Sequence, residues 1–148
     1  MDMDISDWFG HHRLATSEIL AMPPTSLAYV GDAVYELYVR RSLLFPFRRI
    51  KDFHRLVVQQ VRAESQALHL ERIEPLLTDE ERNWVRRGRN SASGGPKRIH
   101  QSVYGMATGL ETLIGWLFLT NPIRLQQLMY YVEPATELDQ VVQNQRQE

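Results

Sequence analysis

The sequence predicts an all-α protein, a bundle of about six or seven helices in one domain. Apolar residues recur at three- and four-residue spacing and nowhere alternate with period two over the length of a strand. Prolines and a capping motif punctuate the chain where helices should start or stop. The 148 residues suffice for one sizeable core and are few for two. Hydrophobic residues at 43% and charged residues at 24% give the balance of an ordinary globular protein.

Each element has a local signal. Pro23-Pro24 interrupts the chain, and Thr25 or Ser26 is expected to cap the helix that follows. Leu27, Val30, Val34 and Leu37 form its apolar stripe, and Phe45-Pro46-Phe47 ends it, because a residue before proline disfavours helical geometry. Asp52 to about Ile73 reads as helix, bent or split near Ala63 to Ser65, with Leu56, Val57, Val61 and Leu68 inward. Pro75 stops it. Thr78-Asp79-Glu80-Glu81 is a capping box opening a short helix with Trp84 and Val85, for which Gly88 is the expected C-terminal stop. Residues 88–97 have the glycine, serine and proline content of a loop. A long helix then runs from about His100 to Leu119, with Val103, Met106, Leu110, Leu113 and Leu117 inward. Asn121-Pro122 caps and starts one more, to about Tyr131. The expected domain is the whole chain, 1–148, with its core at about 23–133 and peripheral ends.

Composition excludes several chemistries. With no cysteine, disulfides, thiolate metal sites and a cysteine nucleophile are ruled out. His11 and His12 lie near the start, and His54, His69 and His100 lack metal-ligand spacing. There is no Ser-His-Asp arrangement and no phosphate-binding Gly-Lys-Ser/Thr loop. Met1 to Gly10 is acidic and carries no secretory or transit signal, and no apolar run is long enough for a membrane span. A cytoplasmic location is the expectation. The net charge of −1 says nothing about partners, but its distribution does. Six Lys or Arg residues and no acid fall between Arg82 and Arg98. That cluster is either a phosphate-binding patch or a solvated helix face. Arg40, Arg41, Arg48, Arg49 and Lys51 flank a turn and read as solvated surface.

Two helical segments carry misplaced acids. In Leu27-Ala-Tyr-Val-Gly-Asp-Ala-Val-Tyr-Glu36, Asp32 sits mid-helix in an apolar run, where its short side chain competes with the backbone. Gly31 beside it costs roughly 1 kcal/mol relative to alanine. Glycine allows a second helix to approach closely, and aspartate supplies an anion there. Glu36 lies one turn on, along the same face. In Gly109-Leu-Glu-Thr-Leu-Ile-Gly-Trp116, Glu111 repeats the pattern, with Gly115 one turn along its face. Two such helices can cross closely and bring Asp32 to Glu111. Close carboxylates repel unless a cation or a proton lies between them, and oxygen ligands suit magnesium. The competing reading is an acid satisfied by an arginine within the fold.

These segments resemble the ribonuclease III family. The stretch from Leu27 to Glu36 is similar to its signature helix, and Gly109 to Leu119 to its second catalytic helix. Between them, Arg62-Ala-Glu-Ser-Gln-Ala67, Arg86-Arg-Gly-Arg-Asn90 and the loop ending at Lys97 resemble the Mini-ribonuclease III branch, in register over roughly residues 23–130. Two positions depart from the longer members. A Glu is replaced by Ala28 and an Asp by Thr108, leaving two of four acids. There is no length for a separate double-stranded-RNA-binding domain.

The resemblance implies a magnesium-dependent endonuclease for double-stranded RNA that leaves 5′-phosphate and 3′-hydroxyl ends. Asp32 and Glu111 are then the catalytic metal-holding pair, with Glu36 or added water completing the ligands. It implies maturation of 23S ribosomal RNA precursor ends, and a ribosomal protein is a further partner it allows. Arg86, Arg87, Arg89, Lys97 and Arg98 are expected to contact phosphates, and Asn90 a hydroxyl. Two antiparallel strands suit a C2 homodimer. The family dimerises through its signature helix, which implicates Tyr29, Val30 and Tyr35; ordinary intrachain core is the competing reading of each. Two other functions compete: an inactive ribonuclease III-like fold that binds RNA or ribosomes, mildly favoured by the loss of acids at 28 and 108 but opposed more strongly by the retention of Asp32 and Glu111, and a helical protein-interaction domain whose acids are structural.

Overall fold

A computed structural model describes residues 14–132. Among them are seven α-helices, α1 (Thr16–Leu20), α2 (Pro24–Ser42), α3 (Ile50–Val61), α4 (Ala63–Ile73), α5 (Asp79–Ser91), α6 (Gln101–Thr120) and α7 (Pro122–Met129). Single 3₁₀ turns follow α4 at Glu74–Leu76 and α7 at Tyr130–Val132. No strand occurs among the described residues, so the all-α expectation holds. The acidic start, His11-His12 and the tail after Pro134 lie outside them. No helix in the described part is long and apolar enough to cross a membrane.

Helix α6 is the axis of the fold, with α1, α2, α4, α5 and α7 all against it. Its buried side chains, Leu110, Leu113, Ile114, Trp116 and Leu117, join Leu27, Tyr35, Val39, Leu70, Ile73 and Trp84 in one core. Trp84 and Trp116 stack with centroids 5.7 Å apart.

Small residues set how closely α6 meets its neighbours. A Cβ on Gly31 would run into the Glu111 carbonyl and lie 2.9 Å from the Gly115 nitrogen. A Cβ on Gly115 would run into the Leu27 carbonyl and lie 3.1 Å from the Gly31 nitrogen. Helices α2 and α6 therefore touch backbone to backbone at this crossing. On the other side of α6, Gly88 of α5 lies against Thr112 and Gly109.

Several boundaries differ from the sequence reading. Thr25 and Ser26 make no cap. Pro23 is the N-cap in extended geometry, with Pro24 in the first helical turn, where its missing N–H costs nothing. Short α1 had no signal strong enough to announce it. The split expected near Ala63 to Ser65 is present one residue earlier, at Arg62, whose φ of −63° and ψ of 155° are extended, and the first of the two helices starts at Ile50 rather than Asp52. The capping box is present, with Glu81 N–H donating to Thr78 Oγ1 at 3.2 Å and Thr78 N–H to Glu81 Oε1 at 2.9 Å. Gly88 does not stop α5, which continues to Ser91, because Gly88 is a packing position against α6. Leu37 and Leu68, expected inside, are 65% and 58% exposed. The buried stripe of α2 is Leu27, Gly31, Tyr35 and Val39, the face turned to α6.

Candidate active site

The α2–α6 crossing places Asp32 and Glu111 on the lining of one cavity of about 260 Å³. Ala28 and Thr108 also line it, so both positions where acids are replaced belong to the same site. The rest of the lining is Thr25 and Tyr29 of α2, Tyr104 of α6, and the end of α5 with the loop beyond, Ser91 to Ser93.

The acids differ in setting. Asp32 is exposed, and its carboxyl is raised above the ordinary range by partial burial and by the charge of Glu36. Glu111 is more deeply set, and its carboxyl is pushed up to about 7. Burial is the largest cause, the charge of Asp32 adds to it, and a hydrogen bond from Gln66 opposes both. Glu111 therefore bears the repulsion of the pair, and near neutral pH it is poised between protonated and ionised forms. A divalent cation would relieve both the burial cost and the repulsion.

Glu36 does not join them. Its carboxylate accepts from Arg40 at 2.7 Å, one turn along α2, and it is absent from the cavity wall. No group of three or more His, Cys, Asp or Glu residues among the described ones is placed to hold a metal ion. The protein oxygens on offer are the two carboxylates and nearby hydroxyls such as Thr108, whose Oγ1 donates to the Tyr104 carbonyl at 3.0 Å. Such a set fits a hard cation that keeps several waters.

Behind Glu111 lies a buried polar cluster the sequence did not announce. Gln66 and His69 of α4 are 2% and 5% exposed. The Tyr35 hydroxyl meets His69 Nδ1 and donates to the Gln60 carbonyl at 3.2 Å. Burial, then the charge of Arg72, lowers the His69 pKa to about 4, so its ring is neutral. Tyr35 is 0% exposed, which corrects its expected place at an interface between copies. Tyr29, by contrast, is 82% exposed, and Val30 is half-buried.

The basic residues fall on α5 and the following loop. Arg86, Arg89, Asn90, Lys97 and Arg98 are exposed, with Arg86 donating to Asn83 Oδ1. Arg87 is half-buried, its guanidinium 4.2 Å from the centroid of Trp84, a cation–π arrangement. The loop folds back on α6, where a Cβ on Gly95 would lie 2.7 Å from the Tyr104 ring. Patch and cavity thus share the α5 C-terminus.

The ribonuclease III domain family matches residues 25–122, a span that holds both acids and the basic loop. A Mini-ribonuclease 3 from Synechocystis sp. is 53% identical, over 78% of this chain and 80% of that protein. One from Synechococcus sp. is 48% identical over 86% and 92%, and one from Thermoanaerobacter sp. is 37% identical over 87% and 94%. A crystal structure of a protein from Fusobacterium nucleatum superposes with a TM-score of 0.70 at 27% identity, covering 76% of this chain and 93% of that one. The chain belongs to the ribonuclease III family, in its Mini-ribonuclease 3 branch, and is an endoribonuclease.

Proposed function

We propose that this endoribonuclease cleaves double-stranded RNA with magnesium held between Asp32 and Glu111, leaving 5′-phosphate and 3′-hydroxyl ends. The observation that carries the reading is the meeting of these two acids in one cavity, with the Glu111 carboxyl raised in part by the charge of Asp32. Bound there, the cation supplies Lewis acidity, an activated water and stabilisation of the leaving 3′ oxygen. The chain's own part is positioning. The α2–α6 crossing fixes the carboxylates, and Thr108 offers a neutral oxygen where longer members have an acid. Arg86, Arg87, Arg89, Lys97 and Arg98 hold phosphates of an A-form duplex, which is recognised through shape, phosphates and 2′-hydroxyls, and Asn90 is placed for a hydroxyl.

Two strands call for two sites, and a C2 homodimer through the exposed face of α2 at Tyr29, with Val30 beside it, supplies them. The ends of a 23S ribosomal RNA precursor are the substrate the branch suggests, with a ribosomal protein as stimulator and the cytoplasm as the location. Purified protein is incubated with duplex RNA with and without magnesium. Cleavage is expected only with the metal, and Asp32→Asn and Glu111→Gln should each abolish it while leaving RNA binding intact. Cutting at the normal rate by either variant removes that residue from the site. The doubly reversed variant Arg86→Glu with Arg87→Glu should weaken RNA binding and flatten its salt dependence. An inactive RNA-binding module would bind duplex and cut nothing.

A further inference from the structure

We propose that Gln66 is a positioning residue for Glu111, its side-chain amide holding that carboxylate in the orientation the cavity requires. The inference rests on the assignment of Glu111 above and goes beyond it.

Gln66 lies on α4, outside both acid-bearing helices, and its side chain is 2% exposed. It is a costly residue there, because its Oε1 is buried without a hydrogen-bond partner and such an acceptor loses its water for nothing. Methionine would fill similar space without that cost. What methionine lacks is donors. Nε2 donates to the Val61 carbonyl at 2.8 Å, a group at the end of α3 that no further helical turn satisfies. The same amide lies against the Glu111 side chain, where it works to lower that carboxyl's pKa. An amide is planar, so the bond to Val61 fixes its orientation. With one N–H committed to α3 and the amide lying against Glu111, Oε1 is left without a partner. The orphaned oxygen is thus the consequence of aiming the N–H groups, and an unpartnered buried group of this kind calls for an explanation.

The helix break at Arg62 serves the same arrangement. Extended geometry there starts α4 afresh, and Ser65 Oγ donates back to the Gln59 carbonyl at 2.5 Å. Two consecutive side chains of the first turn of α4 therefore tie down the end of α3. Only the second also reaches the acid on α6.

The test uses full-length Gln66→Met and Gln66→Leu, which remove the donors while keeping an apolar fill. Three quantities are read: kcat and KM on duplex RNA, binding of Mn²⁺ alone without RNA by electron paramagnetic resonance, and Tm. The expected result is a roughly 10- to 100-fold fall in kcat and a comparable loss of Mn²⁺ affinity, with KM little changed and Tm equal or higher. In a Glu111→Gln background, Gln66→Met should cost no further Mn²⁺ affinity, because the two residues act as one unit. Unchanged kcat and Mn²⁺ affinity would overturn the proposal, leaving Gln66 a cap for α3, and so would failure of both apolar variants to fold. If Glu111→Gln alone leaves cleavage and Mn²⁺ binding intact, the assignment of Glu111 has failed first, and that single variant tells the two failures apart.

Discussion

Glu111→Gln should make the metal-free protein more stable at alkaline pH while destroying its activity. The carboxyl stands at 4.5 in the unfolded reference and at about 7 in the fold. Between those values the native chain holds a proton that the unfolded chain has released. Stability from this group therefore falls as pH rises through that window and is lowest above it. At about 1.4 kcal/mol per pH unit the difference is about 3 kcal/mol. Glu111 is only partly buried, and solvent at the cavity mouth screens some of it, so about 1–3 kcal/mol is expected. The glutamine has the same shape and no charge, and it removes the penalty. Thermal unfolding followed by far-UV circular dichroism, with divalent ions chelated, should show Tm higher by about 3–10 °C at about pH 8. Below pH 4.5 the two proteins should melt together. Magnesium should then raise the Tm of the parent and leave the variant unmoved, because ligand binding stabilises only a fold that has the site. Equal melting at both ends of the pH range, or a variant less stable when alkaline, would refute the claim that burial and the Asp32 charge together penalise the ionised Glu111 in the fold.

Gly105→Ala should stabilise by up to about 1 kcal/mol, since a Cβ there meets nothing nearer than the Arg89 carbonyl at 3.7 Å. Gly31→Ala and Gly115→Ala should instead cost about 1–3 kcal/mol or more, because both would run into backbone; urea unfolding of the three variants checks the order. Arg124→Ala should cost about 3–5 kcal/mol by stranding Glu81, whose side chain is 3% exposed and takes both Arg124 bonds at 2.9 Å. Burial alone would raise the Glu81 carboxyl, but hydrogen bonds from Arg124 and Thr78 outweigh it and hold it below its ordinary 4.5. The stability this pair gives is present above that value and lost as pH falls through the lower folded one, so acid unfolding of the variant should show a shallower slope there.

The elements legible in the sequence are those with local punctuation. The Thr78–Glu81 box and Asn121-Pro122 each begin a helix through bonds or geometry within one turn, and the structure uses both; Pro23-Pro24 marked where α2 begins, though the cap expected at Thr25 or Ser26 is not made. The paired glycine and acid on α2 and α6 were legible because each is locally unfavourable and gains a use only if the helices meet. Features set by tertiary contact were not. The sequence placed a bend or split near Ala63 to Ser65 but not what holds it: Gln66 and Ser65 bond back to α3. Helix α2 has apolar residues almost all round, so its pattern did not say that Tyr35 rather than Leu37 turns inward. A stop and a contact are the same letter at Gly88, and only α6 tells them apart. Gln66 fell within the Arg62–Ala67 stretch that carries the family resemblance, but nothing marked it as buried, because a glutamine in an amphipathic helix ordinarily marks the wet side.

The crossing that builds the fold also builds the site. Gly31 sits over the peptide of Glu111, and Gly115 over that of Leu27. Asp32 is the residue after Gly31, about 100° further round the helix, so its side chain leaves the contact seam toward the cavity. The separation of the acids is then governed by backbone meeting backbone. A contact between side chains could yield through rotamer changes, but two hydrogen-bonded helices pressed together cannot slide to let the carboxylates part. Their repulsion is held in the fold and is available to a cation that relieves it. A Cβ at the crossing should therefore damage Mn²⁺ binding even in a variant that keeps its helices, whereas an equal loss of stability imposed at Arg124, remote from the cavity, should leave that binding unchanged in the folded protein.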